Sequence, residues 1–567
     1  MSQRGTSRTQ VLIVGGGPVG LALAVELGIR DIRCVVVEQN EPLGPLQAPR
    51  SKMINARAMA HMRRWGLAAA IRSAIPLGAD YPSNVIFATR LTGAEIARFE
   101  NAFSTQRGED DRFPDGAAWL PQYRIEDVLR ARASQLPSVS LLLGTRFQSL
   151  TQTRHHVEAV VTGAQGDRYI ESSYLVAADG ARSTVRTLCD IAMAELPNAP
   201  ASGTNINALI RVPGLAQLIS LGPAVIYQVV NAEVSAGMGP FDVDDRWFIN
   251  AFPQQWQGTA DEFDLIGFAQ AAIGARTPVE VICRSTWSPR ALLAERYADR
   301  RVLLAGDACQ VRPPTGGYGM NLGIGDAVDI GWKLAATLQG WGGPELLRTY
   351  EVERKKVHLR VLREAIENYS FVDAVRNARI KPDDLEAPGV TGEQARARLG
   401  ELIKQQKDRE YHTLGVVLGD RYTDSPIVTK ESGVPPLEHY RNYTPSSYPG
   451  CLAPHLWLAD GSSLYDAFGL GFALVHHAAT DDESVEKFVA AAKRQHVPLT
   501  ILGLASELRE DLYPCAFTLI RPDQHVAWRG NKAPEDTDQL LKQVRGDGQE
   551  ASVSARHAHM QRPRSAV

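Results

Sequence analysis

The segment Val11-Leu12-Ile13-Val14-Gly15-Gly16-Gly17-Pro18-Val19-Gly20 decides the fold of this 567-residue chain. Its four apolar residues predict a buried strand, and the glycines that follow predict a tight turn into a helix over 17–28. In the pattern Gly15-x-Gly17-x-x-Gly20, the first glycine permits the turn, the second lets a pyrophosphate approach the backbone, and the third permits close packing of the helix on the strand.

A second apolar run, over 33–38, ends on Glu38 and is followed by Gln39. In a strand–helix–strand unit, an acid at this position accepts hydrogen bonds from ribose hydroxyls, and the start of the helix, at Pro18 and Val19, meets the phosphates with its partial positive charge. We therefore predict a dinucleotide site, for which a glycine-rich turn without a ligand is the alternative. This motif alone does not separate NAD from FAD.

Two later segments bear on that choice. One is Asp179-Gly180-Ala181-Arg182-Ser183-Thr184-Val185-Arg186, which follows a short apolar strand over 174–178. The other, Arg301-Val302-Leu303-Leu304-Ala305-Gly306-Asp307, places the Asp307 carboxylate after an apolar strand, facing the crevice at the strand's C-terminal end. A helix-capping acid on a surface loop is the alternative for Asp307.

The segment Pro313-Pro314-Thr315-Gly316-Gly317-Tyr318-Gly319-Met320-Asn321 comes next. It is first stiff and then poor in side chains, which suits a loop lying against a flat ring. The helix that follows, from about Asn321, would aim its N-terminus at the ring and stabilise negative charge there.

In this order the three segments resemble the class A flavoprotein monooxygenases, the single-component aromatic-ring hydroxylases. The resemblance implies FAD at the glycine-rich turn, Asp307 on its ribityl chain, and Asp179 with Gly180 in a fingerprint linked to FAD and pyridine nucleotide. Arg50 and Gln122 match family positions that contact the cofactor; a solvated arginine and a helix-capping glutamine are the alternatives. The expected cofactor-binding set is completed by Pro314, Gly317, Gly319, Met320 and Asn321.

The chain departs from the family pattern at Gln310, where members often carry a histidine. An amide forms hydrogen bonds but, unlike a histidine side chain, does not gain or lose a proton near neutral pH. A proton relay through this position is therefore not expected, whereas a packing role would survive the change.

Composition is that of an ordinary globular protein, with 44% hydrophobic and 22% charged residues. The net charge of −3 does not favour nucleic acid or an anionic membrane as a partner. The apolar runs are of strand length, and the N-terminus lacks the apolar core of a signal peptide, so we expect a cytoplasmic protein. Six cysteines without a Cys-x-x-Cys pair indicate neither a disulfide framework nor a zinc site.

The fold class that we expect is α/β: a Rossmann-like FAD-binding domain, an inserted sheet-based substrate domain and a thioredoxin-like C-terminal domain. Residues 1–194 form the first part of the FAD-binding domain, with a hairpin near 82–115 that belongs to the substrate domain. The other expected divisions are a substrate domain over 195–290, the rest of the FAD-binding domain with long helices over 291–370, a helical connection over 371–442, the thioredoxin-like domain over 443–545 and a disordered tail over 546–567.

As the resemblance implies, the protein uses FAD, with NADPH or NADH as co-substrate, and O₂ to hydroxylate a small aromatic, phenolic substrate through a flavin hydroperoxide. The alternatives are oxidation of a polyketide-like or other polycyclic substrate, including Baeyer–Villiger-type oxidation, and a non-oxygenating flavin oxidoreductase. NADH and NADPH are not distinguished, no metal is expected, and a homodimer is left open.

No residue stands out as the group that activates the substrate, because no histidine occurs between His156 and His358. The polar candidates are Tyr227, Arg211 and Arg246, together with Asp242 and a backbone carbonyl near Pro313. Few cations and no lysine occur in the substrate segment, which gives little support for a polyanionic substrate.

Overall fold

The glycine-rich turn lies at the centre of an eight-stranded sheet in the computed structural model. The structure describes residues 6–41, 49–105, 110–199, 204–252, 259, 261–377, 380–477, 482–504 and 510–548, with 371–377 described by their backbone only. The sheet comprises β1 (Thr6–Val14), β2 (Cys34–Val37), β7 (Val139–Leu142), β8 (Arg146–Gln152), β9 (Val157–Gly163), β10 (Gly166–Ala177), β18 (Ala298–Asp299) and β19 (Val302–Leu304). Its core, in the order β19-β10-β1-β2-β7, is parallel, as a doubly wound nucleotide-binding sheet requires.

The helices described in the structure fall between these strands or beyond them. They are α1 (Pro18–Gly28), α2 (Ala56–Arg64), α3 (Ala68–Ser73), α4 (Gln122–Ser134), α5 (Thr184–Leu188), α6 (Leu215–Leu218), α7 (Leu265–Ile273), α8 (Gly319–Leu338), α9 (Thr349–Asn377), α10 (Gly389–Tyr411), α11 (Leu414–Leu418), α12 (Leu464–Ala467), α13 (Asp482–Arg494) and α14 (Thr537–Val544). Within the described ranges, no helix combines the length and the apolar character needed to span a membrane.

Helix α1 is apolar on almost every side because it is enclosed between the sheet and α8. Two glycines of α8 make this close approach feasible. A Cβ on Gly323 would lie 2.4 Å from Val19 Cγ2, and one on Gly331 would lie 2.4 Å from Glu26 Cγ. The spacing of eight residues puts both glycines on the same face of α8, so the glycine-rich turn and the N-terminus of α8 are held in a fixed relation.

A second sheet of seven strands stands beside the first. It comprises β4 (Val85–Ala88), β5 (Glu95–Phe99), β12 (Asn205–Arg211), β13 (Ile226–Val230), β14 (Ser235–Asp242), β15 (Arg246–Ala251) and β16 (Glu280–Trp287), in the order β16-β12-β15-β14-β13-β4-β5. In the region where a hairpin was expected, near 82–115, β4 and β5 form an antiparallel pair that joins this sheet. Strands β14 and β16 were not expected.

Smaller sheets connect these units. One comprises β11 (Met193–Glu195), β17 (Leu292–Ala294) and β20 (Gln310–Val311), and the other pairs β3 (Met53–Ile54) with β6 (Ala118–Trp119). Beyond α9, the segment expected to be a helical connection contains the 23-residue helix α10. A Cβ on Gly400 of this helix would lie 2.3 Å from the carbonyl oxygen of Ile96, so α10 lies directly against β5.

The C-terminal sheet comprises β21 (Phe472–His477), β22 (Leu499–Leu504), β23 (Phe517–Ile520) and β24 (Val526–Gly530). Its order, β22-β21-β23-β24, with β21 and β22 parallel and the other pairs antiparallel, is the thioredoxin-like arrangement that was expected. It packs on α8 through Phe472, whose ring contacts Trp332 and Trp341. All six cysteines are unpaired. The last part of the expected disordered tail, 549–567, lies outside the described residues.

Candidate active site

A cavity of about 2520 Å³ lies between the eight-stranded and the seven-stranded sheets. Sites for one small molecule usually enclose about 300–1,000 Å³, so this cavity has room for two ligands. Most of the residues predicted to bind a cofactor line it: Gly15, Gly17, Pro18, Val19, Glu38, Gln39, Arg50, Gln122, Asp179, Gly180, Asp307, Pro314, Gly317, Gly319 and Met320. Gly20 and Asn321 do not.

The three glycines of the turn differ in what surrounds them. Gly15 has a φ of +107°, and a Cβ there would lie 2.3 Å from the carbonyl oxygen of Ala178. A Cβ on Gly20 would lie 1.9 Å from the carbonyl oxygen of Gly15, so this glycine serves helix–strand packing. A Cβ on Gly17 would meet nothing within 4 Å, and Gly17 has no side-chain cap to offer the first N–H groups of α1. The turn therefore leaves an open cradle at a helix N-terminus, which suits a phosphate group.

Glu38 lies at the edge of this cradle. Its Oε2 accepts a hydrogen bond of 2.8 Å from the backbone N–H of Gly16, and its Oε1 accepts one of 2.9 Å from that of Asn40. These bonds fix the carboxylate at the C-terminal end of β2, where sequence reasoning placed a ribose-binding acid.

Two further carboxylates face the cavity. Asp179 Oδ2 accepts a hydrogen bond of 3.1 Å from the N–H of Val185, whereas its buried Oδ1 has no partner within the described part of the chain. Asp307 does not cap a helix with its side chain, and its Oδ1 lies 3.9 Å from Arg312 Nη2. Burial raises the pKa of both carboxyl groups, and Arg312 and Arg50 oppose the rise at Asp307.

The loop after β20 approaches the cavity with its backbone. Gly316 and Gly317 have φ values of +78° and +64°, which glycine adopts readily. Asn321 was expected to contact the cofactor, but its side chain donates hydrogen bonds to the carbonyls of Met53 and Gly317 and accepts one from the N–H of Asn55. Its role is to hold this loop against β3, because all of its polar atoms are used within the protein.

Gln122 opens α4 and lies between the loop before β3 and the helix itself. Its Oε1 accepts a hydrogen bond from the N–H of Ser51, and its Nε2 donates one of 2.8 Å to Glu126. Glu126 and Arg130 of this helix also line the cavity.

The weak catalytic candidates are not brought together. Tyr227 is buried and donates its hydroxyl proton to the carbonyl of Gly222, Arg211 pairs with Glu280, and Arg246 pairs with Asp244. Neither these three residues nor Asp242 belongs to the cavity wall, which does include Pro313. Gln310 is fully buried away from the cavity, which agrees with a packing role.

Sequence reasoning missed a row of polar residues on the wall formed by the seven-stranded sheet. Neighbouring strands align four polar residues and one glycine that all line the cavity: Ser285, Asn207, Asn250, Gly237 and Gln228. We call these five residues the polar row. The alternation of Asn205, Ile206, Asn207 and Ala208 was the available signal, since it puts two amides on one face of β12.

Charged residues in the wall were also missed. The Lys52 side chain lines the cavity, as do Lys407 and Glu410 of α10, which are joined by a hydrogen bond of 2.5 Å. The guanidinium of Arg312 is 3% exposed, and its three nitrogens have no hydrogen-bond partner in the described residues.

An open phosphate cradle, a fixed ribose-side acid, an unpartnered buried carboxylate oxygen and a glycine loop at a helix N-terminus fit a flavin dinucleotide. They define a flavoprotein of the doubly wound class. Residues 8–365 match the family described as FAD binding domain, and residues 446–547 match the family described as aromatic-ring hydroxylase, C-terminal. The chain belongs to the FAD-dependent aromatic-ring hydroxylases, which confirms the resemblance.

Individual relatives agree over nearly the whole chain. Aklavinone 12-hydroxylase RdmE of Streptomyces purpurascens is 30% identical, over 94% of this chain and 97% of its own. For 2,4-dichlorophenol 6-monooxygenase of Delftia acidovorans the identity is 28%, over 94% and 97%. Among solved structures, RebC with bound 7-carboxy-K252c superimposes with a TM-score of 0.87 at 33% identity, covering 96% of this chain and 100% of that one. The protein is therefore a flavin-dependent monooxygenase by family.

Proposed function

We propose that this protein uses FAD, NADPH or NADH, and O₂ to hydroxylate an extended polycyclic aromatic substrate that carries a phenolic or enolic group. The observation that carries the proposal is the polar row. It crosses five adjacent strands, and four strand spacings of about 4.8 Å make it about 19 Å long. A fused-ring substrate with several oxygen atoms would use its whole length, whereas a single phenol ring would reach only one or two strands.

The relatives allow both kinds of substrate, because one is named as a hydroxylase of aklavinone and another as a monooxygenase of 2,4-dichlorophenol. The wall of this cavity favours the first. Its polar groups on the sheet are neutral amides and hydroxyls, which can donate hydrogen bonds to ketone and phenol oxygens or accept them from phenol hydroxyls. A single-ring phenol remains the second candidate.

The proposal assigns a role in cofactor binding to each group of residues. Gly15, Gly17, Pro18 and Val19 would hold the pyrophosphate at the start of α1, and Glu38 with Gln39 the adenosine ribose. Asp307 would accept hydrogen bonds from the ribityl hydroxyls, and Asp179 with Gly180 would close the same side. Around the ring system we place Arg50, Gln122, Pro314, Gly317, Gly319 and Met320.

Bound FAD supplies the electron transfer and the activation of oxygen. The chain contributes confinement and orientation. Phe87, Phe103, Trp119 and Phe248 present rings to the cavity, and they exclude water from the reacting region while the polar row fixes the substrate in its plane. Since the sequence contains no second Gly-x-Gly-x-x-Gly motif after a strand, the nicotinamide nucleotide would bind transiently at the same cavity.

The deciding experiment measures NADPH and NADH oxidation with and without added aromatics, in ¹⁸O₂. The panel pairs phenol with 2-hydroxyanthraquinone, which adds two fused rings and two carbonyl oxygens that the polar row could bind. We expect faster oxidation with the fused-ring compound and one ¹⁸O atom in a new ring hydroxyl. Label in a lactone would establish Baeyer–Villiger-type oxidation instead, a preference for phenol would select the single-ring substrate, and oxidation without labelled product would contradict oxygenation.

A further inference from the structure

Lys52 occupies the boundary between the two sheets. The segment that contains it contacts the seven-stranded sheet twice: Asn207 donates its amide proton to the carbonyl of Pro49, and Lys52 Nζ lies 4.3 Å from the centre of the Phe248 ring. The same segment also contacts the loop assigned to the flavin ring. A Cβ on Gly317 of that loop would lie 2.8 Å from the methyl group of Met53. The Lys52 ammonium therefore lies between the proposed flavin and substrate positions.

Within the described residues, no carboxylate pairs with the Lys52 ammonium. It contacts the ring of Phe248 and donates a hydrogen bond of 3.3 Å to the carbonyl of Arg50. Burial lowers the pKa of Lys52 to about 8, and no carboxylate in the described part of the chain opposes this. A cation in such a position gains most from an anion supplied by a ligand.

The adjoining wall carries polar atoms that a ligand could also bind. Phe248 and Asn250 are two residues apart on β15, so their side chains share a face about 7 Å apart. Asn250 belongs to the polar row and is paired with Asn207, whose buried Oδ1 has no hydrogen-bond partner among the described residues; the buried Nδ2 of Asn205 has none there either. One cation thus lies at the edge of a row of neutral hydrogen-bonding groups.

We propose that Lys52 is a specificity-determining residue that binds the substrate's acidic oxygen as phenolate or enolate, while the polar row binds its neutral oxygens. This inference rests on the proposed function and adds the ionisation state of the bound substrate. Ionisation makes the ring richer in electrons, and the proton that the substrate loses passes to solvent. The ammonium is a positioning group here, since it favours the reactive form of the ring without exchanging atoms with it.

Other charged groups also line the cavity, and several of them interact with one another or with neighbouring side chains. Lys407 and Glu410 pair with each other, Glu126 accepts a hydrogen bond from Gln122, and Asp307 is flanked by Arg312 and Arg50. Lys52 is the group expected to change charge near pH 8. Anion binding should accordingly be strong below about pH 8 and weaken above it, because the free ammonium loses its proton there.

The test measures binding of 2-hydroxyanthraquinone to the oxidised, FAD-loaded enzyme without NADPH or NADH. The colour of this probe differs between its neutral and ionised forms, so its visible absorption reports its ionisation in the site. The variants are Lys52→Met, Lys52→Gln and Lys52→Arg, with Lys404→Met on the exposed side of α10 as the matched control. The second probe, 2-methoxyanthraquinone, has no ionisable proton.

We expect wild-type enzyme to bind the hydroxy probe as its anion, with the probe's pKa lowered by at least about one unit, which is a tenfold preference for the anion. Lys52→Met and Lys52→Gln should lose that shift and bind about tenfold more weakly, with unchanged FAD content and unchanged affinity for the methoxy probe. Lys52→Arg should keep the shift and lose the decline above pH 8, since guanidinium stays charged.

The inference is overturned if wild-type enzyme binds the hydroxy probe in its neutral form or does not bind it. It is equally overturned if the two neutral variants retain the shift, or if they lose FAD rather than the probe. Because no turnover is involved, failure of the hydroxylation assay and failure of this inference are separate results.

Discussion

At the scale of single residues, substitution of Asp307 distinguishes two roles for this carboxylate, contact with the cofactor and capping of a helix. Its side chain caps no helix and faces the cavity. Asp307→Ala should therefore weaken FAD binding by about 1–3 kcal/mol, the usual effect of removing a hydrogen-bonding group from a buried polar ligand. Titration of apoprotein with FAD, followed by flavin fluorescence, measures this. Asp80→Ala, at an exposed position outside the cavity, is the control. Equal affinities of the two variants would remove Asp307 from the cofactor site.

Gly17 and Gly20 belong to one motif but should respond differently to the same methyl group. Gly17→Ala points its methyl into the phosphate cradle, so we expect FAD affinity to fall about tenfold or more while the melting temperature of the apoprotein stays unchanged. Gly20→Ala forces the methyl against the carbonyl of Gly15, and overpacking of this kind costs about 1–3 kcal/mol of stability. Thermal unfolding of both apoproteins, with FAD titration, separates the effects. A stable Gly20→Ala variant with normal FAD affinity would contradict this division of roles.

At the scale of elements, α10 closes the cavity because Gly400 allows it to lie on β5. Gly400→Val should push the helix outward and displace Lys407 and Glu410 from the cavity wall. We expect weaker binding of polycyclic aromatic probes with FAD affinity retained, since the dinucleotide cradle lies on the other sheet. Glu401→Ala, at the exposed position next to Gly400, should change neither affinity. Loss of FAD with retention of the aromatic probe would show that α10 serves the cofactor instead.

An element could be predicted from the sequence where neighbouring residues in the chain determine it. The βαβ unit with its glycines and Glu38 follows from a strand, a turn and a helix within 30 residues, and the structure confirms those elements. Strand β14 was missed because Ser235–Asp242 contains two glycines and a proline, which disfavour strands in isolation, and tertiary pairing overrides that preference. Within the connection expected to be helical, the bounds of α10 could not be assigned, because its charged side chains lie on several faces and weaken the periodic signal.

The cavity wall was the least predictable part, for a related reason. Tyr227 and Arg246 are polar residues in the right segment, yet which face of a strand they occupy depends on register. The polar row joins residues from five strands, and no single strand reveals it. Lys52 and Phe248 are far apart in the chain, so only the folded structure brings them together.

At the scale of the whole molecule, a buried ion cluster joins the thioredoxin-like domain to the FAD-binding domain. Arg521 donates hydrogen bonds to both carboxylate oxygens of Glu353 on α9, and Lys333 of α8 pairs with Glu353 and Asp329. Burial alone would raise the pKa of Glu353, but the charges of Arg521 and Lys333 lower it to about 2.

Arg521→Met leaves the carboxylates of Glu353 and Asp329 without enough positive charge beside them, so we expect a loss of about 3–5 kcal/mol in unfolding free energy, measured by denaturant titration. Arg494→Met, which removes an exposed pair with Asp538 within the C-terminal domain, should leave stability unchanged. Similar midpoints for the two variants would show that the cluster does not hold the domains together.

The C-terminal domain should support the fold of the flavin site without taking part in its redox chemistry. Burial raises the pKa of Cys451 to about 11 and also raises that of Cys515, and both thiols are unpaired, so neither is poised as a nucleophile. Replacing both with serine should leave FAD content and substrate-stimulated NAD(P)H oxidation essentially intact.

Ending the chain before Tyr443 is the complementary change. The truncation removes the ion pair of Arg521 with Glu353 and the ring contact of Phe472 with Trp332. It also removes the hydrogen bonds that Arg57 of α2 donates to Asp523 and Gln524. Helix α8 begins at the flavin loop and α2 follows β3, so uncovering both should lower FAD content and make the protein aggregate, as measured by the flavin-to-protein absorbance ratio and by light scattering. A soluble truncated protein with full FAD content, or a double serine variant that keeps FAD but loses activity, would reverse the roles assigned to packing and to redox chemistry in this domain.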